Sequence, residues 1–531
     1  MATRFRARFH RFAQCVHPGY HEALAVAAIG AGAVASNALA RADTGNKREP
    51  SRVWQFAKQL WGSEANATDL KEHHLSSWQE GGTGMVDEPK VNRFKNPMLD
   101  IWPHMHFQRH DEQVLGQTVL NDSLLQERQL PASMIQKSFL RANAYQQIWW
   151  DPSKVKVGIV TCGGLCPGLN SIIREVTRCL VHEYGVHEIY GFQGGWNGLS
   201  DVETYAPVPL DLKAVRAIHK DGGCILKAGR GGLLPDKICD NLEQLGINML
   251  FVVGGDGTQW AGDVVYQAAR ERGLALSVVG IPKSIDNDVL FFDRTFGFDT
   301  AVRTGATCID NAWVEAQSCH RGVGIVKLMG RDAGFVAVNA SLASTVADCC
   351  LIPEVKFKME DLVNYVNKVV DRKDHCVVVV AEGAGQDLIS TGEKDSTGHT
   401  KYGDIGTYLR DKLNASLKAS GGRTFYIEPS YIIRSVPITP IDHIYCLRLS
   451  HDAVHTAMRG YTGVCVGAIS NIVAMVPSKF IAAGTRRVLT HGQTWQSCVH
   501  SCKMPENLTG LEEVQAPQVP KKRGSPADFR K

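Results

Sequence analysis

Three stretches of this chain set carboxylates or cations among glycines in a way that suits phosphate chemistry. Gly163-Gly164-Leu165-Cys166-Pro167-Gly168-Leu169-Asn170 opens on paired glycines and runs into a helical pattern from Ser171. Glycines allow a sharp turn and a close approach of backbone to ligand. Pro167 suits the first turn of a helix, and N–H groups at a helix start attract an anion. Taken alone, the stretch serves equally as a structural turn. It is neither GxGxxG nor GxxxxGKS/T, which excludes a plain dinucleotide motif and a P-loop. In Gly254-Gly255-Asp256-Gly257-Thr258 an acid stands among glycines. Such an acid can hold Mg2+, usually through water, beside backbone that approaches phosphate. Asp-Gly is also a common turn dipeptide. Pro282-Lys283-Ser284-Ile285-Asp286-Asn287-Asp288 carries two acids two residues apart, beside a lysine and a serine. One carboxylate suits a general base on a sugar hydroxyl, the other the positioning of metal or substrate. A helix N-cap at Ser284 or Asp286 is the plainer use, but it leaves Lys283 and the second acid unexplained.

Further candidates are dispersed. Gly222-Gly223-Cys224-Ile225-Leu226-Lys227-Ala228-Gly229-Arg230 is a glycine-framed basic loop. Met329-Gly330-Arg331 and Ala381-Glu382-Gly383 each offer one charged group, and Pro429-Ser430-Tyr431-Ile432-Ile433-Arg434 offers a phenol and a guanidinium. Arginine suits bidentate phosphate recognition. A phosphate-rich site with a metal carboxylate, a base and several cations is the layout of phosphoryl transfer, where positioning and charge stabilisation do the work.

The elements that must hold these residues are legible from residue 154 onward. Apolar, β-branched runs at 154–161, 249–253, 276–281, 324–328 and 376–380 end in glycine-rich turns and alternate with helical stretches. That alternation predicts βαβ units and a parallel sheet buried on both faces, an α/β fold with ligands at the carboxyl ends of the strands. Composition sets the outer bounds. Across 531 residues, 58 Lys+Arg against 54 Asp+Glu leave a net charge of +4, which argues against nucleic-acid or polybasic membrane partners. A hydrophobic fraction of 44% excludes wholesale disorder. The fifteen cysteines contain no CxxC pair and read as reduced thiols in an intracellular compartment. Residues 1–42 are Arg-rich with the single acid Glu22, the composition of a plastid or mitochondrial transit peptide; without that role the chain is expected in the cytoplasm. No apolar run of spanning length follows, so no stable membrane insertion is expected. Between 43 and 150, Trp54, Trp61, Trp78 and Trp102 suggest an extension that wraps a domain surface through aromatic anchors.

The motifs at 163–170, 254–258, 282–288 and 329–331, with Pro353-Glu354, occur in an order that resembles the 6-phosphofructokinases. The match is to the long eukaryotic ATP-dependent group related to pyrophosphate-dependent enzymes, over roughly residues 135 to 475. The resemblance implies two Rossmann-like lobes with parallel sheets, the active site in the cleft between them, plus an N-terminal extension. It divides the chain into a leader 1–42, an extension 43–150, a catalytic body 151–504 and a flexible tail 505–531. By position it implies that Asp286 accepts the proton of the sugar 1-hydroxyl and that Asp256 is the Mg2+ carboxylate. Gly164, Arg230, Gly255, Gly257, Thr258 and Lys283 fall to the nucleotide. Ser284 replaces a threonine that helps hold the transferred phosphoryl group. Asp288, Met329, Gly330, Arg331, Glu382, Tyr431 and Arg434 fall to fructose 6-phosphate, with Arg331 also acting in catalysis. ATP is the implied donor and a homotetramer the implied assembly, often with cations donated across a subunit boundary.

Two markers of the donor disagree. Gly257 leaves room for a nucleotide's α-phosphate, where an acid would repel it; Lys283 is what pyrophosphate enzymes carry. The glycine-plus-lysine pair resembles the long ATP group, because a carboxylate excludes ATP actively and a lysine does not. Pyrophosphate dependence is the alternative. A kinase of NAD or lipid shares Gly-Gly-Asp-Gly-Thr but not the later motifs. A silent regulatory subunit is opposed by the intact Asp256 and Asp286. Ser318-Cys319-His320-Arg321-Gly322 departs from the short enzymes' pattern, so Arg321 receives no role.

Overall fold

Apolar runs with little side-chain polarity form strands only where both faces can be covered, and the computed structural model covers them with helices. It describes residues 94–102, 105, 107–108, 112–115, 138–389, 392 and 402–510. The leader 1–42, Trp54, Trp61 and Trp78, and residues 511–531 of the tail lie outside the described residues.

The first lobe is built on β1 (Lys156–Thr161), α1 (Leu169–Tyr184), β2 (Glu188–Phe192), β3 (Val208–Pro209), α2 (Pro235–Leu245), β4 (Met249–Gly254), α3 (Asp256–Glu271) and β5 (Ser277–Pro282). α4 (Phe298–Gln317) leads into the second lobe: β6 (Gly322–Leu328), α5 (Phe335–Ser344), β7 (Cys349–Leu351), α6 (Met359–Lys373), β8 (His375–Ala381), α7 (Ile405–Leu417), β9 (Arg423–Ile427) and the short α8 (Ser430–Ser435). The chain then returns through α9 (Pro440–Met458) to β10 (Val464–Ile469) and β11 (Ile472–Pro477), followed by α10 (Gln493–Cys502).

The first sheet has seven strands in the order β11-β10-β5-β4-β1-β2-β3. β10, β5, β4, β1 and β2 are parallel, with an antiparallel strand at each edge. The second has four parallel strands, β7-β8-β6-β9. Burial on both faces is direct. Val157, Ile159, Met249 and Phe251 pack with Ile172 and Val176 of α1 and Leu449 and Val454 of α9. Val160, Leu250 and Val252, on the other face, meet Ile238 and Leu242 of α2 and Val265 and Tyr266 of α3.

The described part of 94–150 lies on this lobe. Val114 and Phe139 pack with Phe292, Cys465, Val476 and Ile481, and the Ala142 N–H donates to Val473 O at 2.9 Å. Of the four tryptophans that the sequence suggested as anchors, only Trp102 falls among the described residues, and it is not one. Trp102 stays 55% exposed, and Phe107, Phe139, Tyr145 and Trp149 are the buried aromatics. All fourteen cysteines among the described residues are free thiols. No helix among the described residues is long and apolar enough to cross a membrane.

Candidate active site

The carboxyl ends of β1, β4 and β5 carry three of the motifs. After β1, Gly163 has φ +88° and Gly168, which precedes α1 as its cap, has φ +104°, conformations that side chains resist. Pro167 therefore sits just before the helix rather than in its first turn, and the helix begins at Leu169 rather than Ser171. The Gly163 N–H donates to Gly229 O at 2.8 Å, which ties the basic loop to this one. A Cβ placed on Gly164 would lie 3.7 Å from an Arg230 guanidinium nitrogen and 3.8 Å from one of Arg434. Lys283, almost fully buried, donates its Nζ to Gly164 O at 2.9 Å. Three sequence candidates far apart in the chain, Arg230, Lys283 and Arg434, thus converge on one glycine.

After β4 the chain does not make a free turn. Gly255 caps α3, and Asp256, Gly257 and Thr258 are that helix's first three residues. Their N–H groups belong to the end of a helix, where the dipole favours an anion. Thr258 folds back on the strand: a Cβ on Gly254 would meet its Cβ and Oγ1 at 2.4 Å. Gly257 is exposed.

After β5 no helix follows until Phe298, so neither Ser284 nor Asp286 is a helix N-cap. Ser284 Oγ accepts from the Asp286 N–H at 3.2 Å and donates to Asp288 Oδ1. Asn287 has φ +57°, and its Oδ1 accepts from the Thr295 N–H at 2.9 Å, pinning the loop.

The second sheet supplies side chains. The Glu382 N–H donates to Leu328 O at 2.9 Å and the Gly383 N–H to Gly330 O at 3.0 Å, so the loops after β6 and β8 hold each other. A Cβ on Gly383 would meet Arg331 O at 1.9 Å, which is why glycine stands there. Arg331 lies 4.8 Å over the Tyr402 ring, and Arg434 lies 4.8 Å over Tyr431. Met329 is half-buried against the core. Tyr431 is 80% exposed, so its phenol is at the rim of the site.

Acids from both sheets meet around Asp286. Burial, then Asp288 and Glu382, push its carboxyl well above the usual range, while the Arg331 backbone N–H pulls the other way. Asp286 Oδ1 is buried without a hydrogen-bond partner. Burial pushes Asp288 up to about 6, with Asp256 adding to the rise and the Ser284 hydroxyl opposing it. Burial also raises Glu382, against the pull of Lys327, Arg331 and Arg434. This is a desolvated acid cluster ringed by cations, the environment of an active site.

Sequence reasoning missed several supports. Tyr402 braces Arg331 and donates to Asp332 Oδ1 at 3.2 Å. Asp332 follows directly on Met329-Gly330-Arg331 and was open to notice; Tyr402 has no motif around it. The Arg486 N–H donates to Asp288 O at 2.7 Å, holding the acid loop from a segment beyond the resemblance. Glu354 is a strut: its carboxylate accepts from the N–H groups of Gly334 at 3.1 Å and Val488 at 2.8 Å. Arg321 lies at the opposite, amino end of β6, paired with Asp371 at 2.7 Å.

Comparison with known proteins agrees with this geometry. The family model "Phosphofructokinase" matches residues 156–457. The chain is 40% identical over 380 residues to the chloroplastic ATP-dependent 6-phosphofructokinase 5 of Arabidopsis thaliana, covering 70% of each chain. It is 43% identical over 362 residues to the ATP-dependent 6-phosphofructokinase of Trypanosoma brucei brucei, covering 67% of this chain and 74% of that one. Among solved structures it resembles the pyrophosphate-dependent phosphofructokinase of Marinobacter aquaeolei, with a TM-score of 0.56 and 20% identity over 70% of this chain and 99% of that one. It also resembles the phosphofructokinase of Saccharomyces cerevisiae, with a TM-score of 0.51 and 24% identity over 62% of this chain and 45% of that one. On motif order, sheet topology and these matches together, the chain belongs to the phosphofructokinase family.

Proposed function

We propose that the protein is an ATP-dependent 6-phosphofructokinase, converting D-fructose 6-phosphate and ATP to fructose 1,6-bisphosphate and ADP. The observation that carries this is Asp286, a buried carboxylate with an unpartnered oxygen where the two lobes meet. A carboxylate raised by burial is a stronger base than a solvated one. It takes the proton of the sugar 1-hydroxyl as that oxygen bonds to the γ-phosphorus and the bond to the ADP oxygen breaks. Gly164, Arg230 and Lys283, with the helix end at Gly255, Gly257 and Thr258, bind the nucleotide phosphates. Met329, Gly330, Arg331, Glu382, Tyr431 and Arg434 hold the sugar phosphate, and Arg331 also steadies charge on the transferred group. Ser284 orients Asp288 through its hydroxyl.

The Asp256 charge adds to the rise of the Asp288 carboxyl. That donor set fits Mg2+, with Asp256 as its carboxylate. When bound, the ion neutralises phosphate oxygens.

Gly257, bare and exposed at the second position of α3, favours ATP. Lys283 is the one feature that favours pyrophosphate. Its ammonium is bonded to the Gly164 carbonyl and buried, which supports toleration of a nucleotide. The rim near Tyr431 continues into exposed Ile432, Ile441 and Ile444, at 59%, 59% and 61%, an apolar face suited to another copy of the chain, within a tetramer. The boundaries 1–42, 43–150, 151–504 and 505–531 complete the reading, with a cytoplasmic address unless the leader directs the chain to a plastid or mitochondrion.

The test is a coupled assay of fructose 1,6-bisphosphate formation with ATP and pyrophosphate side by side, with and without Mg2+. Turnover with ATP is expected. Turnover with pyrophosphate alone overturns the donor, and turnover with neither returns the silent subunit.

A further inference from the structure

α1 and α9 lie side by side and point the same way. At their amino ends a Cβ on Gly168 would meet Cys446 Sγ at 3.0 Å and Ile438 Cγ2 at 3.5 Å. At their carboxyl ends Tyr184 meets His455. Near this second end, Cys179 of α1 and His451 and His455 of α9 each turn one ligating atom toward a shared point. The thiol sulfur and the two ring nitrogens all lie within 4.8 Å of one another. Among the described residues no other three His, Cys, Asp or Glu groups converge in this way. Cys179 is eleven residues past Gly168, about 16 Å along a helix, so the cluster is separate from the phosphate loop.

Three features go beyond a chance meeting of core side chains. The histidines are four residues apart and so share a helix face. His455 Nδ1 is engaged by the Tyr184 hydroxyl at 2.8 Å, which fixes the ring and leaves Nε2 for the cluster, as outer partners of metal-bound histidines do. Glu183, one turn beyond Cys179, has a buried carboxylate oxygen without a hydrogen-bond partner. Its charge acts on both Cys179 and His451. Glu175 and Asp452 add negative potential at Cys179, with Arg178 the opposing cation near His451. Nothing in the phosphoryl-transfer reading uses any of these groups.

We propose that Cys179, His451 and His455 bind a zinc ion, with the Glu183 carboxylate, which stands outside the three-atom cluster, swinging in from the next turn of α1 as the fourth donor. A thiolate, two imidazoles and a carboxylate are a borderline-soft set that suits tetrahedral zinc. Donor atoms around one zinc lie about 3.3–3.8 Å apart, so these three need to close by no more than roughly 1–1.5 Å on binding. Binding releases the Cys179 proton to solvent and forms the zinc–sulfur bond. The ion staples α1, whose start carries the glycine loop, to α9, which follows the Tyr431–Arg434 helix.

The test uses the full chain purified without chelator, with zinc and cobalt as probes. Elemental analysis is expected to find one zinc per chain, and its removal to lower Tm. Cobalt exchange is expected to give the intense visible bands of a tetrahedral ion and a near-ultraviolet sulfur-to-cobalt band. Cys179→Ser is expected to lose that band, and Tyr184→Phe to weaken zinc binding about 10–100-fold. His451→Gln, at a partly exposed ring, probes the site with the least disturbance of the core and is expected to weaken binding further. A chain without zinc whose cobalt form lacks the sulfur band overturns the proposal. So does a zinc affinity unchanged in His451→Gln. The wild-type cobalt spectrum decides alone if the variants do not fold.

Discussion

The two halves of the cleft are made of different materials. The half on the first sheet is mostly backbone: the Gly163–Gly164 turn, the Gly168 cap and the start of α3 at Asp256. The half on the second sheet is mostly side chains held by side chains: Arg331 on Tyr402, Tyr402 on Asp332, and Lys327 between Asp404 and Glu428 at 2.9 Å each. Phosphates of a nucleotide can be met by amides at fixed helix ends. A sugar phosphate needs hydroxyl-by-hydroxyl discrimination, which calls for longer, directed groups. Asp286 stands where the halves meet and answers to both.

That contrast orders the expected effects. Asp286→Asn removes the shared group, and turnover should fall by about 10²–10⁴-fold with both substrates still bound; near-normal turnover would break the base assignment. Gly257→Asp perturbs only the backbone half. A second carboxylate beside Asp256 should cut kcat/KM for ATP by about 10²-fold and leave the KM for fructose 6-phosphate nearly unchanged. Arg434→Ala perturbs the other half, and its KM for the sugar phosphate should rise by about 10–100-fold. Its guanidinium also approaches Gly164, so an equal rise in the KM for ATP would show that the halves are one site. Asp288→Asn is subtler. Asp288 helps to raise Asp286, and the base form is lost as pH falls through that raised value. Without Asp288 the acid limb of the kcat profile should move to lower pH, by about a unit or less.

Stability gives the smallest test and the opposite sign. A carboxyl whose folded pKa is raised binds its proton more tightly when folded. It stabilises the fold below the unfolded pKa and loses that contribution as pH rises through the folded value. At neutral pH, above the unfolded pKa, burying Asp286 therefore costs stability, and Asp286→Asn should raise Tm by about 1–3 °C while destroying turnover. A lower Tm in thermal melts would mean that the carboxylate is a structural acceptor.

The backbone half was the legible half, for a physical reason. A glycine at φ +88° leaves a mark in sequence because no other residue fits cheaply there. Gly-Gly-Asp-Gly-Thr was likewise legible, though whether it opened a helix or a turn was not, since Asp-Gly serves both. The five strands named from the sequence lie within two residues of their observed ends because both faces are buried, whereas β2, β3, β7, β9, β10 and β11 were not named. Tyr402 and Arg486 escaped because their roles arise from pairing across distant segments and no motif surrounds either, whereas Asp332 adjoins a motif and was open to notice. Trp102 misled because size and aromaticity do not by themselves choose burial: it is exposed and Phe139 is enclosed.

The return of the chain from the second lobe bears on how the molecule comes into being. β10 pairs with β5 through Val464 and Val279, about 185 residues apart in sequence. On a ribosome β5 emerges with one edge bare, and its neighbour is not made until the whole second lobe has followed. For that interval an apolar, unpaired parallel edge is open to wrong partners. Long-range pairing of this kind also slows folding. The first lobe is begun first and closed last, and demand for protection during synthesis should centre on the bare edge of β5.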